Sequence, residues 1–227
     1  LFMWQAQVFT LYPEVFPGPL SKGLYGKAMS KNLWNLKIVN IRDAAEDKHK
    51  TVDDNPYGGG SGMLLKADVL AKSIDQNKIE GEKILYLSPK GKKFDQNYAK
   101  TLAKEKSLSL ICGHFEGVDE RILTTRNIEE ISIGDYVLSG GETAAYVVID
   151  SVLRLLPGIL GNDNSKIEET FENGLLEYPQ YTKPQIWEEK AVPDVLLSGD
   201  HSKIKDWRLS QSEAITRDRR PDLWEKY

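Results

Sequence analysis

Three short segments of this chain have the residue types and spacing of ligand-binding turns, because each places glycine or other small residues directly after an apolar run. These segments are Ser88-Pro89-Lys90-Gly91, Gly113 and Ser139-Gly140-Gly141. Glycine lets the backbone come close to a ligand, so that backbone groups can hydrogen-bond the edge of an adenine-like base. Ordinary turns between strands and helices have the same composition, and the three segments alone leave both interpretations open.

Three charged residues are further candidates for chemistry, although each also has a plain structural explanation. Arg154 comes near the end of a predicted helix, where a cation interacts favourably with the helix dipole. Glu168 and Glu169 stand where a second domain is predicted to begin, and acids are favourable at a helix N-terminus. Residue type and position alone favour the structural explanation for all three.

Metal, thiol and phosphate-loop chemistry find little support in the sequence. His49, His114 and His201 are scattered, and no spacing of histidine, cysteine and carboxylate residues predicts a zinc site. Cys112 ends an apolar run, which favours a small buried core residue over a nucleophile. The glycine-rich segment 56–63 lacks the Gly-Lys-Ser/Thr of a phosphate-binding loop, so it is either a flexible loop or a surface that a bulky partner approaches closely.

The elements that would position these residues alternate between strand and helix along the chain. Apolar runs, glycine turns and polar helical stretches repeat, which predicts an α/β fold with a mostly parallel sheet. In such a sheet the carboxyl ends of the strands share one edge, where ligands bind. The predicted strands are 5–12, 36–41, 83–87, 108–112 and 131–138, and the predicted helices are 20–29, 67–77, 95–106, 119–126 and 142–156.

Length and composition predict one large domain followed by a small one. The chain has 227 residues, 40% of them hydrophobic and 28% charged, which is typical of a globular protein. After Pro157-Gly158 the sequence becomes polar, and 180–191 and 201–219 have a helical pattern with no strand pair. We predict a domain over 1–160, a flexible linker over 161–169 and a helical domain over 170–227.

Charge and apolar patterning limit the partners and the compartment. The net charge of −4 excludes a global basic field, so nucleic-acid binding would need local patches. A basic group in the last segment, interleaved with acids, offers such a patch: Lys203, Lys205, Arg208, Arg217, Arg219 and Arg220. A single cysteine rules out an intramolecular disulfide, and no apolar run approaches a membrane span. No basic region precedes the first apolar residues, so we expect no signal peptide, a cytoplasmic location and no membrane partner, with Met3 as the natural start and Leu1-Phe2 left from upstream sequence.

Several longer motifs are far more specific than these patterns. They closely resemble the bacterial tRNA (guanine-N1)-methyltransferase family, TrmD, of the SPOUT class of knotted methyltransferases. The resemblance runs from about Met3 to Trp224. Its motifs are Thr51 to Gly60, Tyr86 to Gly91, Ile111 to Arg121, Ser132 to Glu142, Pro157 to Gly161, Tyr181 to Pro184 and Leu196 to His201.

The resemblance implies a fold and a cofactor that the pattern alone does not give. The implied α/β domain contains a deep trefoil knot, a topology that is otherwise rare. S-adenosyl-L-methionine is implied to lie bent within the knot, on the three glycine-bearing turns, where a side chain would crowd the adenosine. The implied cofactor-binding residues are Tyr86, Leu87, Ser88, Pro89, Gly113, Glu116, Ile133, Gly134, Asp135, Tyr136, Val137, Leu138, Gly140 and Gly141.

The resemblance also implies the reaction, which is methylation of N1 of guanosine 37 in tRNAs that carry G36-G37. Arg154 matches the arginine that stabilises charge on O6, and Glu169 aligns with the aspartate base of the family, which is a departure. Glu116, together with Glu177 of a partner copy, would face the ammonium group of the cofactor. His114 stands where the family usually has an arginine near the tRNA. A Mg²⁺ requirement is implied, although the sequence shows no dedicated cage for the ion.

The implied working unit is a homodimer with composite active sites that grips the anticodon stem-loop of tRNA. The linker and helical domain of one copy would cover the pocket of the other. Glu168 and Asp163 compete with Glu169 for the role of base, because the linker is flexible. Two alternative functions remain, a SPOUT ribose 2′-O-methyltransferase and a catalytically weak RNA-binding SPOUT protein.

Overall fold

A five-stranded sheet, in which all neighbouring strands are parallel, forms the centre of the first part of the protein. The computed structural model describes residues 3–160, 170–171 and 174–227, and the chain divides into two units, 1–161 and 162–227. Across the sheet the strands follow the order β2 (Trp34–Asn40), β1 (Trp4–Thr10), β6 (Ser107–Cys112), β5 (Lys83–Lys93) and β7 (Glu129–Ser132). A short antiparallel pair, β3 (Asp53–Asp54) and β4 (Leu64–Leu65), lies outside this sheet.

Helices cover both faces of the sheet, as the repeated pattern predicts for an α/β fold. The helices of the first unit are α1 (Gly23–Ser30), α2 (Ala67–Asn77), α3 (Gln96–Leu102), α4 (Glu120–Thr125) and α5 (Glu142–Leu153). Helix α2 contacts α4, and helix α3 contacts α5. The predicted α/β class with a mostly parallel sheet is therefore confirmed. Across the described ranges, no helix combines the length and the apolar character needed to cross a membrane.

Two apolar clusters lie on opposite sides of the sheet because side chains alternate along each strand. In β1, Ala6 and Val8 join the cluster that contains α5, whereas Phe9 joins the cluster that contains α2. Every residue of β6 is buried, which is expected of a central strand covered on both faces. Leu110 in this strand is fully buried.

Two of the strands that form the site are present as predicted but end at different residues. The predicted strand 83–87 continues to Lys93, because the chain bulges at 88–91 and then pairs again, Lys92 opposite Ile131. The predicted strand 131–138 instead ends at Ser132. The Ser132 hydroxyl accepts a hydrogen bond from the Gly134 N–H at 3.2 Å, and this local turn ends the strand.

The predicted helices are confirmed in position, but several have different ends. Helix α2 has the predicted bounds, and α5 ends at Leu153 rather than 156. The predicted helix 20–29 is divided into a 3₁₀ turn, Gly18–Ser21, and helix α1. The turns at Gly113 and at 139–141 keep their place between a strand and a helix, whereas the predicted turn 88–91 is a bulge within β5.

The second unit contains a β-hairpin that the sequence analysis missed. Its elements are β8 (Ile186–Trp187), β9 (Lys190–Ala191), α6 (Asp194–Leu197), α7 (His201–Arg219) and α8 (Pro221–Trp224). The expected helical stretch 180–191 is wrong, because β8 and β9 form an antiparallel pair. Glu188 and Glu189 between them have φ values of 48° and 63°, which is the backbone of a tight hairpin turn. Such turns normally contain Asn or Gly, so two glutamates gave no turn signal.

The fully buried position of Leu110 leads to a prediction about stability. We expect Leu110→Ala to lower the free energy of unfolding by about 2–5 kcal/mol, since it leaves a cavity in the central strand. Leu24→Ala is the control, because Leu24 is 52% exposed and its truncation should cost less than about 0.5 kcal/mol. Urea unfolding followed by circular dichroism measures both. Equal losses in the two variants would contradict this account of the core.

Candidate active site

A cavity of about 290 Å³ opens beside the bulge of β5 and the carboxyl ends of β6 and β7. It is lined by residues 86–90 of β5 and by the segments that follow β6 and β7, at the sheet edge where the parallel topology predicts a ligand. Of the residues predicted to bind S-adenosylmethionine, all except Asp135 line this cavity, and Asp135 is exposed beside it. The structure thus brings the predicted residues together, while their contact with a cofactor stays a prediction.

The floor of the cavity depends on a close approach between two backbone segments. The Gly141 N–H donates to the Gly113 carbonyl oxygen at 3.0 Å. A Cβ atom on Gly141 would lie 2.6 Å from Cys112 Cα and 2.9 Å from the Gly113 nitrogen, closer than packed atoms allow. A Cβ atom on Gly113 would lie 2.7 Å from the Tyr86 ring. Both glycines are therefore required by the packing of the protein itself, in addition to any requirement of a ligand.

Tyr86 and Glu116 are two of the polar side chains that line the cavity. Burial raises the pKa of Tyr86 to about 12, and the charges of Glu130 and Glu120 add to the shift, so the phenol stays protonated at neutral pH. The Glu116 N–H donates to the Met63 carbonyl oxygen at 2.9 Å, which fixes Glu116 against the glycine-rich loop. The glycine-rich segment 56–63 is thereby connected to the cavity wall.

His114 is held inside the protein rather than presented to a nucleic acid. Its Nε2 atom lies 2.9 Å from each carboxylate oxygen of Glu142, and both side chains are only 13% exposed. The Thr10 hydroxyl donates to the same carboxylate at 2.6 Å, and the edge of the Tyr12 ring meets the imidazole at 5.0 Å between centroids. His114 therefore belongs to the cavity wall, at the position where the family resemblance implies an arginine near the tRNA.

Arg154 lies at the opposite end of α5 from the cavity. Gly141, which lines the cavity, directly precedes α5, and Arg154 directly follows it. At 1.5 Å per residue, the helix separates the two positions by about 20 Å. An arginine side chain is much shorter than that distance, so Arg154 cannot reach a substrate bound in the cavity of its own chain.

Comparison with known proteins identifies the family to which this chain belongs. The sequence model of the family described as tRNA (Guanine-1)-methyltransferase TrmD matches residues 4–226. The chain belongs to the TrmD family. It is 80% identical over 225 residues to a tRNA (guanine-N(1)-)-methyltransferase of Pelagibacter ubique strain HTCC1062, with 99% of each chain covered. Proteins of the same name from Brucella canis and Brucella ovis are 56% and 55% identical over 224 residues, which cover 99% of this chain and 91% and 92% of theirs.

The family membership confirms the resemblance that the motifs indicated. Glu169 and its competitors Glu168 and Asp163 lie outside the described residues, as does the predicted linker 161–169. Their roles therefore remain proposals.

Cys112 has the structural role that the sequence favoured. The side chain is fully buried, and burial together with the nearby Glu142 charge raises the pKa of its thiol. A thiol with a raised pKa remains protonated and is a poor nucleophile. The expectation of a small core residue is confirmed.

Additional cavity-lining residues were missed by the sequence analysis. Ser139 belongs to a recognised turn but was not among the predicted contacts, and His114 was identified only as a departure from an arginine of the family. Gly113 precedes His114 in sequence, and Gly140 packs on the imidazole ring in the fold. Only the first of these neighbours was visible in the sequence as a signal that His114 lines the cavity. The remaining lining residues are Lys90, Phe115, Gly117, Ile131, Ser132 and Ala144.

Basic residues of the second unit are partly engaged by their neighbours. Lys203 lies 3.2 Å from the Asp200 carboxylate, the Arg208 guanidinium lies over the Tyr178 ring at 4.7 Å, and Arg217 lies over Trp224 at 4.5 Å. Exposed ion pairs of this kind are weak, so phosphate groups can compete for the same cations. Lys203, Arg208 and Arg217 of the predicted basic patch are therefore oriented by their neighbours and still carry their positive charge.

Larger concave surfaces lie elsewhere on the described part of the chain. One of about 680 Å³ is bordered by 54–57, 64–68 and Arg121, and one of about 590 Å³ lies within the second unit between 175–178 and α7. Neither contains the glycine-bearing turns after β5, β6 and β7. The smaller cavity at the sheet edge is therefore the candidate site, because position and chemistry agree there.

The two close backbone contacts predict different sensitivities of cofactor binding. We expect Gly141→Ala to lower S-adenosylmethionine affinity at least about tenfold more than Gly113→Ala, because its new methyl group meets backbone whereas a ring can rotate aside. Thr143→Ala is the control, since Thr143 is exposed on α5 two residues away and should bind normally. Calorimetry measures all three, and normal affinity in Gly141→Ala would contradict this description of the cavity floor.

Proposed function

We propose that this chain transfers a methyl group from S-adenosylmethionine to N1 of guanosine 37 in tRNAs that carry G36-G37. The observation that carries the proposal is the cavity formed by three glycine-bearing segments at the carboxyl edge of the sheet, in a chain of the TrmD family. The relatives named above are tRNA (guanine-N(1)-)-methyltransferases, and the protein of Pelagibacter ubique is 80% identical to this chain over 225 residues. A cytoplasmic location and a trefoil knot in the first unit are part of the same proposal.

The residues around the cavity suit the proposed cofactor. Ile133, Val137 and Leu138 offer apolar walls for the adenine ring, and the backbone at Gly113 and Gly141 is close enough to meet its edge. Glu116 can pair with the cofactor's ammonium group. When bound, the cofactor would supply a methyl group on a positively charged sulfur, the carbon–sulfur bond breaking as the bond to N1 forms.

Glu169 and Arg154 are the proposed catalytic residues. Guanine N1 carries a proton that must leave, and we assign its removal to the Glu169 carboxylate. Negative charge then develops on O6, where the Arg154 guanidinium would stabilise it. Loss of water around Glu169 when tRNA closes the site would make the carboxylate a stronger base. The longer reach of glutamate compared with aspartate is compatible with a linker position.

A homodimer with composite sites follows from the position of Arg154 in this proposal. About 20 Å of helix separates Arg154 from the cavity of its own chain, which supports an active site that it completes on a partner copy. An exposed apolar rim beside the cavity supports the same arrangement, since Val137 is 85% exposed and Tyr136 55%. The second unit would then bind the anticodon stem-loop, and Glu177 would reach the ammonium group from the partner.

Mg²⁺ dependence is proposed only as a property of the reaction. In the described ranges of the chain, no three His, Cys, Asp or Glu side chains are grouped to hold a metal ion. Since Mg²⁺ usually binds through one or two carboxylates together with water or substrate, removal of the ion with a chelator should stop methylation while cofactor binding persists.

A methyl-transfer assay tests the function itself. Transcripts that carry G36-G37 should accept methyl at N1 of G37, and matched transcripts with A37 or with A36 should not. Mass spectrometry of nucleosides locates the methyl group. Methylation of a ribose 2′-hydroxyl would support the first alternative, and binding without methylation would support a catalytically weak RNA-binding protein.

Replacement of the proposed base gives a sharp prediction. Glu169→Gln keeps the size of the side chain and removes only its basicity, so we expect turnover to fall by about 10²-fold with little change in cofactor affinity. Glu169→Asp should retain much of the rate. Glu168→Gln and Asp163→Asn are the matched controls and should be close to wild type. If one of them is inactive while Glu169→Gln is active, the base lies at that other position.

Mixed dimers test the composite site. Arg154→Ala and Gly113→Val chains should each keep only a small, measurable fraction of the wild-type rate alone, because one lacks the cation and the other has an obstructed cofactor cavity. After equal mixing with subunit exchange, the intact cavity of one chain meets the intact Arg154 of the other, and roughly a quarter of the wild-type rate should return. No recovery, despite mixed dimers detected by native mass spectrometry, would contradict the composite site.

A further inference from the structure

The side chain of Tyr25 connects α1 to the end of α5 that carries Arg154. The Tyr25 hydroxyl donates to the Asp150 carboxylate at 2.9 Å, although the two residues are 125 positions apart in sequence. Asp150 and Arg154 are four residues apart, so they lie on one face of the helix end, and the Arg154 N–H donates to the Asp150 carbonyl oxygen at 3.1 Å. The phenol therefore lies beside Asp150 and Arg154, at the C-terminal end of α5.

Tyr25 is itself held in place by buried structure. Its carbonyl oxygen accepts a hydrogen bond from the Trp34 indole N–H at 2.9 Å, and Trp34 is fully buried at the start of β2. The Tyr25 ring packs against the apolar cluster that contains α5. The hydroxyl therefore projects from a rigid base, whereas Asp150 and Arg154 are both exposed to solvent.

The Tyr25 phenol lies between two opposite charges, those of Asp150 and Arg154. Burial is the largest cause that raises the pKa of Tyr25, and the hydrogen bond and charge of Asp150 raise it further. The Arg154 guanidinium acts in the opposite direction through both a hydrogen bond and its charge. The hydroxyl thus remains protonated, donates to Asp150, and offers its oxygen to Arg154.

We propose that Tyr25, together with Asp150, is a positioning residue that holds the Arg154 guanidinium in the orientation needed to meet guanine O6 in the partner's site. The inference rests on the proposed role of Arg154. An arginine at a solvated helix end has many rotamers, and fixing it before the substrate arrives lowers the entropy that the transition state must otherwise supply. Tyr25 touches neither the cavity nor the reacting atoms, so its effect passes through Arg154.

Removal of one hydroxyl group tests this assignment. Tyr25→Phe should lower the methylation rate at saturating tRNA and cofactor by roughly 3- to 10-fold, the size of one lost hydrogen bond. Calorimetric affinity for S-adenosylmethionine should be unchanged. Tyr146→Phe is the matched control. Tyr146 lies on α5, and its hydroxyl donates to the Val15 carbonyl oxygen, away from Arg154. A wild-type or faster rate in Tyr25→Phe would overturn the proposal, as would an equal loss in Tyr146→Phe.

A double-mutant cycle separates positioning from general stabilisation. Single-turnover rates are measured for Tyr25→Phe, Arg154→Ala and the double variant. If Tyr25 acts through Arg154, its removal should have no further effect once Arg154 is gone. A purely structural role would instead give the same fold-loss on both backgrounds and would overturn the inference.

The same cycle distinguishes failure of this inference from failure of the proposed site. Wild-type activity in Arg154→Ala would remove Arg154 from the mechanism, and the positioning role would fall with it. A large loss in Arg154→Ala with no loss in Tyr25→Phe would leave the proposed site intact and overturn only the role of Tyr25. Asp150→Asn should reproduce the loss seen in Tyr25→Phe if the carboxylate orients the phenol.

Discussion

The contact between the end of β6 and the start of α5 is the constraint on which the site depends. Gly141 lies against the backbone of Cys112 and Gly113, and its N–H binds the Gly113 carbonyl oxygen at 3.0 Å. This contact brings the turn before α5 beside the turn after β6. A cavity with backbone on several sides results, which suits a ligand recognised by backbone hydrogen bonds and shape as well as by the few charged side chains, such as Glu116, that line it.

Helix α5 transmits that constraint across the first unit. Its first turn borders the cavity, its buried face packs into the larger apolar cluster, and its far end carries Arg154. A helix of this length is stiff, so the cavity and Arg154 stay about 20 Å apart within one chain. In the proposed reaction this separation makes dimerisation a requirement of catalysis, because neither copy alone holds both groups near one guanine.

The two departures from the family pattern have different consequences. His114 is hydrogen-bonded to Glu142 in the cavity wall, and Thr10 donates to the same carboxylate. This position therefore contributes to local packing, where an arginine would add charge. With a net charge of −4, the proposed recognition of tRNA would then depend more heavily on the basic residues of the second unit. Glu169 alters only the reach of the proposed base, which a linker can accommodate.

The sequence by itself determined the α/β class, the glycine turns and the family, because apolar periodicity, glycine after a strand and long motifs are all local signals. Tertiary structure alone decided the bulge at 88–91, the hairpin turn at Glu188-Glu189, the Glu142 partner of His114 and the Asp150 partner of Tyr25. Each of these depends on strand pairing, on a backbone conformation unusual for its residues, or on side chains far apart in sequence. Such contacts are fixed by how the layers pack, and no local pattern encodes them.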